Sequence, residues 1–124
     1  MTSKFTELAV DCADPRALAG FWCSVLGYEV QDESDGLVTI GSPLVPEGRL
    51  RPGPVPPTLT FVRVPEGKTV KNRVHLDVRV GADRREAEVA RLIGLGATEL
   101  WRQSQGPYEW VTLADPQGNE FCVS

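Results

Sequence analysis

One pattern occurs twice in this chain. Asp14–Pro15 opens an apolar stretch that closes at Gly27, and Asp83 opens another that closes at Gly96, at the same spacing. Leu18, Phe21, Trp22, Val25 and Leu26 recur at helical intervals in the first; Ala87, Ala90, Leu92, Ile93 and Leu95 are the apolar positions of the second. A capping Asp, a Pro in the first turn and a Gly at the end are helix start and stop signals. The spacing predicts helices near 15–26 and 83–95, with Asp14 and Asp83 as caps. Each is preceded by one strand-like segment and followed by three. A chain that repeats strand, helix and three strands is confined to architectures built from two equivalent modules.

The strand segments show period-two alternation. In module one they are "FTELAVDC", "YEVQ", "GLVTIG" and "LTFVRV"; in module two "NRVHLDVRV", "ATELWR", "YEWVTLA" and "EFCVS". "DESDG" and "DPQGN" read as turns. Residues 42–58 hold six of the ten prolines and are expected to form a long surface loop, either disordered or a lid over a site.

At 124 residues the chain is one domain by length, long enough to bury a core. A net charge of −4 without a basic run argues against nucleic acid as a partner. No apolar run approaches membrane-spanning length, and the N-terminal residues lack the apolar core of a signal peptide. Cys12, Cys23 and Cys122 are an odd, scattered set, which predicts free thiols in a reducing cytoplasm.

The segment "NRVHLDV" holds His75, the one histidine. On a strand, Val74, Leu76 and Val78 share one face, and Arg73, His75, Asp77 and Arg79 the other. Superposing the two helices sets Glu7 opposite His75, after a one-residue difference in the strand–helix loops.

The motifs "VDCADPRALAGFWCSVLGYEV", "KNRVHLDV", "LGATEL" and "VTLADPQGNEFCV" together resemble the vicinal oxygen chelate superfamily: glyoxalase I, extradiol dioxygenases and bleomycin-resistance proteins, and more narrowly small bacterial glyoxalase-like domains. The resemblance implies an α+β fold. Two βαβββ modules, about 1–66 and about 70–124, would form a curved mixed-sheet cup with helices outside, as one domain over 1–124. It implies a homodimer and a small-molecule ligand. The apolar strand faces, with Leu8, Val10, Val62, Val64, Val74, Leu76 and Val78, would then lie under the helices. The cup would be lined by Glu7, Ala9, Asp11, Phe61, Arg63 and Arg73, and by His75, Asp77, Trp110, Thr112, Glu120 and Cys122.

Metal-dependent members of that superfamily take ligands from the first and last strands of each module. Carried over by position, the ligands would be Glu7, His75 and Cys122, and "LTFVRV" supplies none. A Glu/His/Cys set can hold Zn²⁺ but does not suit a hard ion. The expectation is therefore no cofactor, with a divalent metal as the alternative. The first reading is a metal-independent binding or sequestering protein, or an enzyme using His75 as acid/base with Glu7 orienting it. The second is a metal-dependent lyase, isomerase or dioxygenase. Phe61, Arg63, Arg73, Asp77, Trp110, Thr112, Glu120 and Cys122 are the expected ligand contacts. Trp101, Tyr108 and Trp110 either stack on a planar ligand or pack an interface.

Overall fold

The computed structural model describes residues 2–45 and 55–124. Most of the expected 42–58 loop therefore lies outside the described residues. The chain divides into two compact units, Met1–Gly67 and Lys68–Ser124. Each is a βαβββ module with its own four-stranded mixed sheet, as the repeat predicts.

Module one runs β1 (Glu7–Cys12), α1 (Pro15–Leu26), β2 (Glu29–Ser34), β3 (Leu37–Gly41) and β4 (Thr58–Arg63), in sheet order β1-β4-β3-β2. Asp14 caps α1, its carboxylate accepting from the Ala17 N–H at 3.1 Å. Gly27 ends the helix at φ +68, a conformation that carries little steric cost without a Cβ. The α1 stripe of Leu18, Phe21 and Trp22 is buried against β3 and β4, and the Phe21 and Trp22 rings meet edge to face at 5.4 Å.

The β1/β4/β3 register corrects one reading. Val10 pairs with Phe61 and Phe61 with Val38, while Leu59 pairs with Leu8 and Ile40. Paired residues share a face, so this is the apolar face, and Phe61 is fully buried in it. "LTFVRV" thus runs in the opposite phase to the expected one. Leu59 and Phe61 point to the core, and Val62 shares the other face with Thr60, Thr39 and Glu7.

Module two runs β5 (Asp77–Val78), α2 (Arg85–Gly94), β6 (Thr98–Gln105), β7 (Tyr108–Ala114) and β8 (Glu120–Val123), in sheet order β5-β8-β7-β6. This is the order of module one, with first and last strands parallel in both. Val78 pairs with Val123, Val123 with Val111, and Phe121 with Leu113, which assembles the buried face. Val89 and Leu92 of α2 complete that core, while Ala87, Ala90, Ile93 and Leu95 of the expected stripe are exposed. Asp83 does not cap α2. The Arg84 N–H turns back to the Gly81 carbonyl and the helix starts at Arg85, with Glu86 and Glu88 in its first turn to complement the dipole.

The expected strand over 72–80 is shorter in the structure. Ladder bonds run from Leu76 to Val80, and β5 itself has two residues. Val74, expected under a helix, is 74% exposed. The preceding residues are engaged elsewhere. The Asn72 N–H donates to Glu120 at 2.9 Å and its amide to Asn119 at 3.1 Å, which bends the backbone away from the strand path.

Candidate functional site

Period-two alternation leaves one face of the module-two sheet without an apolar set. Asp77 pairs with Cys122, Cys122 with Thr112, and Thr112 with Trp101; beside them Gln103 pairs with Trp110. Trp101 and Trp110 are thus diagonal neighbours on one face, and the Trp110 indole N–H donates to Gln103 Oε1 at 3.0 Å. This face lines a cavity of about 530 Å³, within the size range of small-molecule sites.

Of the expected contacts, His75, Asp77, Trp110, Thr112, Glu120 and Cys122 all line this cavity. Lys71, Arg79, Trp101, Gln103 and Tyr108 join them. Alternation already sets Arg79 on the face of His75 and Asp77, although it is not among the expected contacts. Trp101 was legible as a stacking candidate, but Lys71 lies in a segment without periodicity.

Three expected contacts are placed elsewhere. Phe61 is core. Arg63 lies against the β2–β3 turn, pairs with Asp35 at 3.3 Å and lines a separate module-one hollow with Arg16 and Glu33. Arg73, on the distorted approach to β5, is exposed and is not among the cavity-lining residues. Glu7 accepts from the Thr60 hydroxyl at 2.6 Å within module one, and Thr60 in turn meets Thr39 at 2.9 Å.

The ionisable edge of the cavity is built by β5 and β8. His75 Nδ1 lies 3.4 Å from Asp77 Oδ1, both side chains partly exposed. Donor atoms of His75, Asp77 and Cys122 all fall within 4.8 Å of one another. Burial pushes the Cys122 thiol up from its ordinary value, and Asp77 adds to the rise; a Thr112 hydrogen bond and the Lys71 charge oppose it. The sulfur is half-buried and 3.5 Å from Thr112 Oγ1.

Glu120 lines the cavity and is also tied into the chain that leads to it. Its side chain is 10% exposed and accepts from Lys68 Nζ at 2.9 Å and from the Asn72 N–H at 2.9 Å. Burial alone would raise this carboxyl. The Asn72 and Lys68 bonds outweigh it and hold Glu120 below the usual glutamate value. Lys68 also donates to the Val70 carbonyl, so residues 68–72 are wrapped onto the start of β8. Beside them the Asp115 carboxylate accepts from the N–H groups of Gln117 and Asn119, which fixes the "DPQGN" turn leading into β8.

Whether the donors fit a metal depends on their softness. One imidazole, one carboxylate and one thiol suit a zinc-like ion once the thiol is deprotonated. They do not suit a hard, oxygen-preferring ion. A tetrahedral centre sets ligand separations of roughly 3.5 Å, which the 3.4 Å between His75 Nδ1 and Asp77 Oδ1 already meets.

The sequence of residues 7–124 matches the glyoxalase-like domain family. No curated protein matches the chain in sequence. Among solved structures, a glyoxalase/bleomycin resistance protein/dioxygenase family enzyme from Burkholderia phytofirmans PsJN superposes with a TM-score of 0.73 at 17% identity, covering 98% of this chain and 97% of that one. A possible glyoxalase from Bacillus cereus gives 0.71 at 14%, covering 98% of each. The fosfomycin resistance protein FosX from Listeria monocytogenes, solved with Mn(II) and 1S,2S-dihydroxypropylphosphonic acid, gives 0.74 at 9%, covering 99% and 89%. The repeated βαβββ module, its strand order and the match over nearly the whole sequence place this chain in the glyoxalase-like domain family of the vicinal oxygen chelate superfamily.

Proposed function

We propose that module two binds a flat small molecule in the 530 Å³ cavity without a metal, either to sequester it or to act on it with His75 as acid/base. The observation that carries this reading is the placement of Trp101 and Trp110 on one strand face beside Thr112 and Cys122. Two indoles side by side on a cavity wall offer an apolar surface that a planar ligand covers well. Asp77 beside His75 Nδ1 favours the tautomer protonated there, which leaves Nε2 to accept or return a proton. The chain works as one 124-residue domain, as a homodimer in a reducing cytoplasm that keeps its three cysteines as thiols. The test is tryptophan fluorescence of chelator-treated, untagged protein against a panel of planar compounds. Saturable quenching is expected; its absence across the panel would sink the reading.

A second reading is favoured by the convergence of His75, Asp77 and Cys122. In it a zinc-like ion sits at the cavity edge, held by the imidazole, the Asp77 carboxylate and the Cys122 thiolate. Such an ion would supply Lewis-acid polarisation of a bound oxygen. FosX from Listeria binds Mn(II), but the thiol at Cys122 turns this donor set away from that ion. Metal content of untagged protein separates the two readings.

A further inference from the structure

The charges around the cavity do not cancel in place. Glu120 is committed to Lys68 and Asn72. Glu109 is committed to Arg85, whose guanidinium reaches its carboxylate at 2.8 Å. Asp77 lies 3.4 Å from His75 Nδ1 and keeps its own charge while the imidazole is neutral. The two remaining lining residues with charged side chains are both cations, Lys71 and Arg79. Lys71 donates to the neutral Asn72 carbonyl at 3.4 Å, and its charge is felt at the Cys122 thiol. Neither Lys71 nor Arg79 has an ion pair among the described residues. The module-one hollow behaves differently, because its Arg16 and Arg63 are each paired with a carboxylate, Glu33 and Asp35. In a chain of net charge −4, two cations without carboxylate partners on the wall of an aromatic-lined cavity are a specific asymmetry.

Resting on the reading of the cavity as a site for a flat molecule, we infer that its ligands are planar aromatic acids. The ring lies against Trp101 and Trp110, and the carboxylate or equivalent anion is taken by Lys71 and Arg79. Arg79 follows Asp77 by two residues, so it shares the His75–Asp77 face and stands at the end of the cavity floor. A guanidinium presents paired donors to a carboxylate, and an ammonium adds charge without fixed geometry. An anion bound beside His75 would supply the counter-charge that neither Lys71 nor Arg79 finds in an ion pair among the described residues. A neutral planar molecule would leave both cations without a counter-charge.

The test uses 2-naphthoate and its uncharged isostere 2-naphthamide, titrated calorimetrically into chelator-treated full-length protein at neutral pH and low salt. Naphthoate is expected to bind at least about tenfold tighter than the amide, with the advantage shrinking as salt is added. Lys71→Ala and Arg79→Gln should each remove most of that advantage, read as the ratio of acid to amide affinity in the same variant. Because both side chains are exposed, unchanged melting temperatures will show that the variants fold. Equal binding of acid and amide overturns the anion preference while sparing the flat-ligand reading. An acid preference that survives both substitutions also overturns it. Failure of both compounds to bind removes the flat-ligand reading and this inference with it.

Discussion

Lys68 and Glu120 form an ion pair at 2.9 Å in which the two side chains are only 20% and 10% exposed. The pair joins the first residue of module two to the first residue of its last strand. Both partners have further bonds: Lys68 to the Val70 carbonyl, and Glu120 to the Asn72 N–H. This is a partly desolvated contact with its hydrogen bonds filled, a different case from the surface pairs that contribute little. Its consequence is positional, because Lys71 and His75 enter the cavity from the segment it fixes.

The clasp predicts an acid-sensitive component of stability. Glu120 is held below its ordinary value of 4.5, so the folded state binds its proton less readily than the unfolded state. The stabilisation is therefore fully present above the ordinary glutamate range and is lost as pH falls through the lowered folded value. Glu120→Gln should lower the melting temperature at pH 7 by several degrees and flatten its decline below about pH 4.5. Parallel acid limbs for the variant and the native protein would show that the clasp does not titrate.

Trp110→Ala is expected to weaken any planar ligand by about tenfold, on the order of 1.4 kcal/mol, with little change in melting temperature. The residue lines the cavity and its indole bonds only Gln103 among the described residues. Calorimetric titration beside a thermal melt checks both halves. Unchanged affinity with a large drop in stability would make it a core residue.

Phe61→Ala should show the reverse pattern. The side chain is fully buried between β1, β3 and α1, so truncation is expected to cost about 3–5 kcal/mol. Chemical denaturation measures the loss. Ligand affinity extrapolated to the folded fraction should be unchanged.

Untagged protein is expected to carry no stoichiometric divalent metal, and added Mn²⁺ should leave the melting temperature unchanged. Zn²⁺ is the ion the donor set could accept, under reducing conditions and better at higher pH, because the Cys122 thiol is pushed up and must lose its proton. Elemental analysis decides the matter. About one metal per chain that disappears in both His75→Ala and Cys122→Ser would establish the metal-dependent reading.

The duplicated module was legible because its signals are local. Asp14, Pro15 and Gly27 mark a helix without reference to anything distant, and so does the apolar spacing of Leu18, Phe21 and Trp22. The half of the site on Asp77, Trp110, Thr112 and Cys122 was legible for the same reason, since each strand there has one plainly apolar and one plainly polar phase. "LTFVRV" has no such contrast. Leu59 and Phe61 occupy one phase, Val62 and Val64 the other, and only pairing with Val10 and Val38 decides between them. A slip of one residue there exchanged Phe61 and Arg63 for Thr60 and Val62. Val74 and Arg73 were misplaced for a second reason. The bonds from Asn72 to Glu120 and Asn119 span nearly fifty residues, and no local pattern announces them.

The pairing of first strand with last has a consequence for how the cavity comes apart. The tryptophan wall sits on β6 and β7, a hairpin closed by a two-residue turn in which Gly106 takes φ +59. The floor of His75 and Asp77 depends on β5, two residues long, reaching β8 across the whole module. Short-range closure costs little chain entropy and long-range closure costs more. In local opening the ionisable floor should separate first and the aromatic wall last. The capacity to grip a ring and the capacity to move its protons are thus held with unequal firmness within one small sheet.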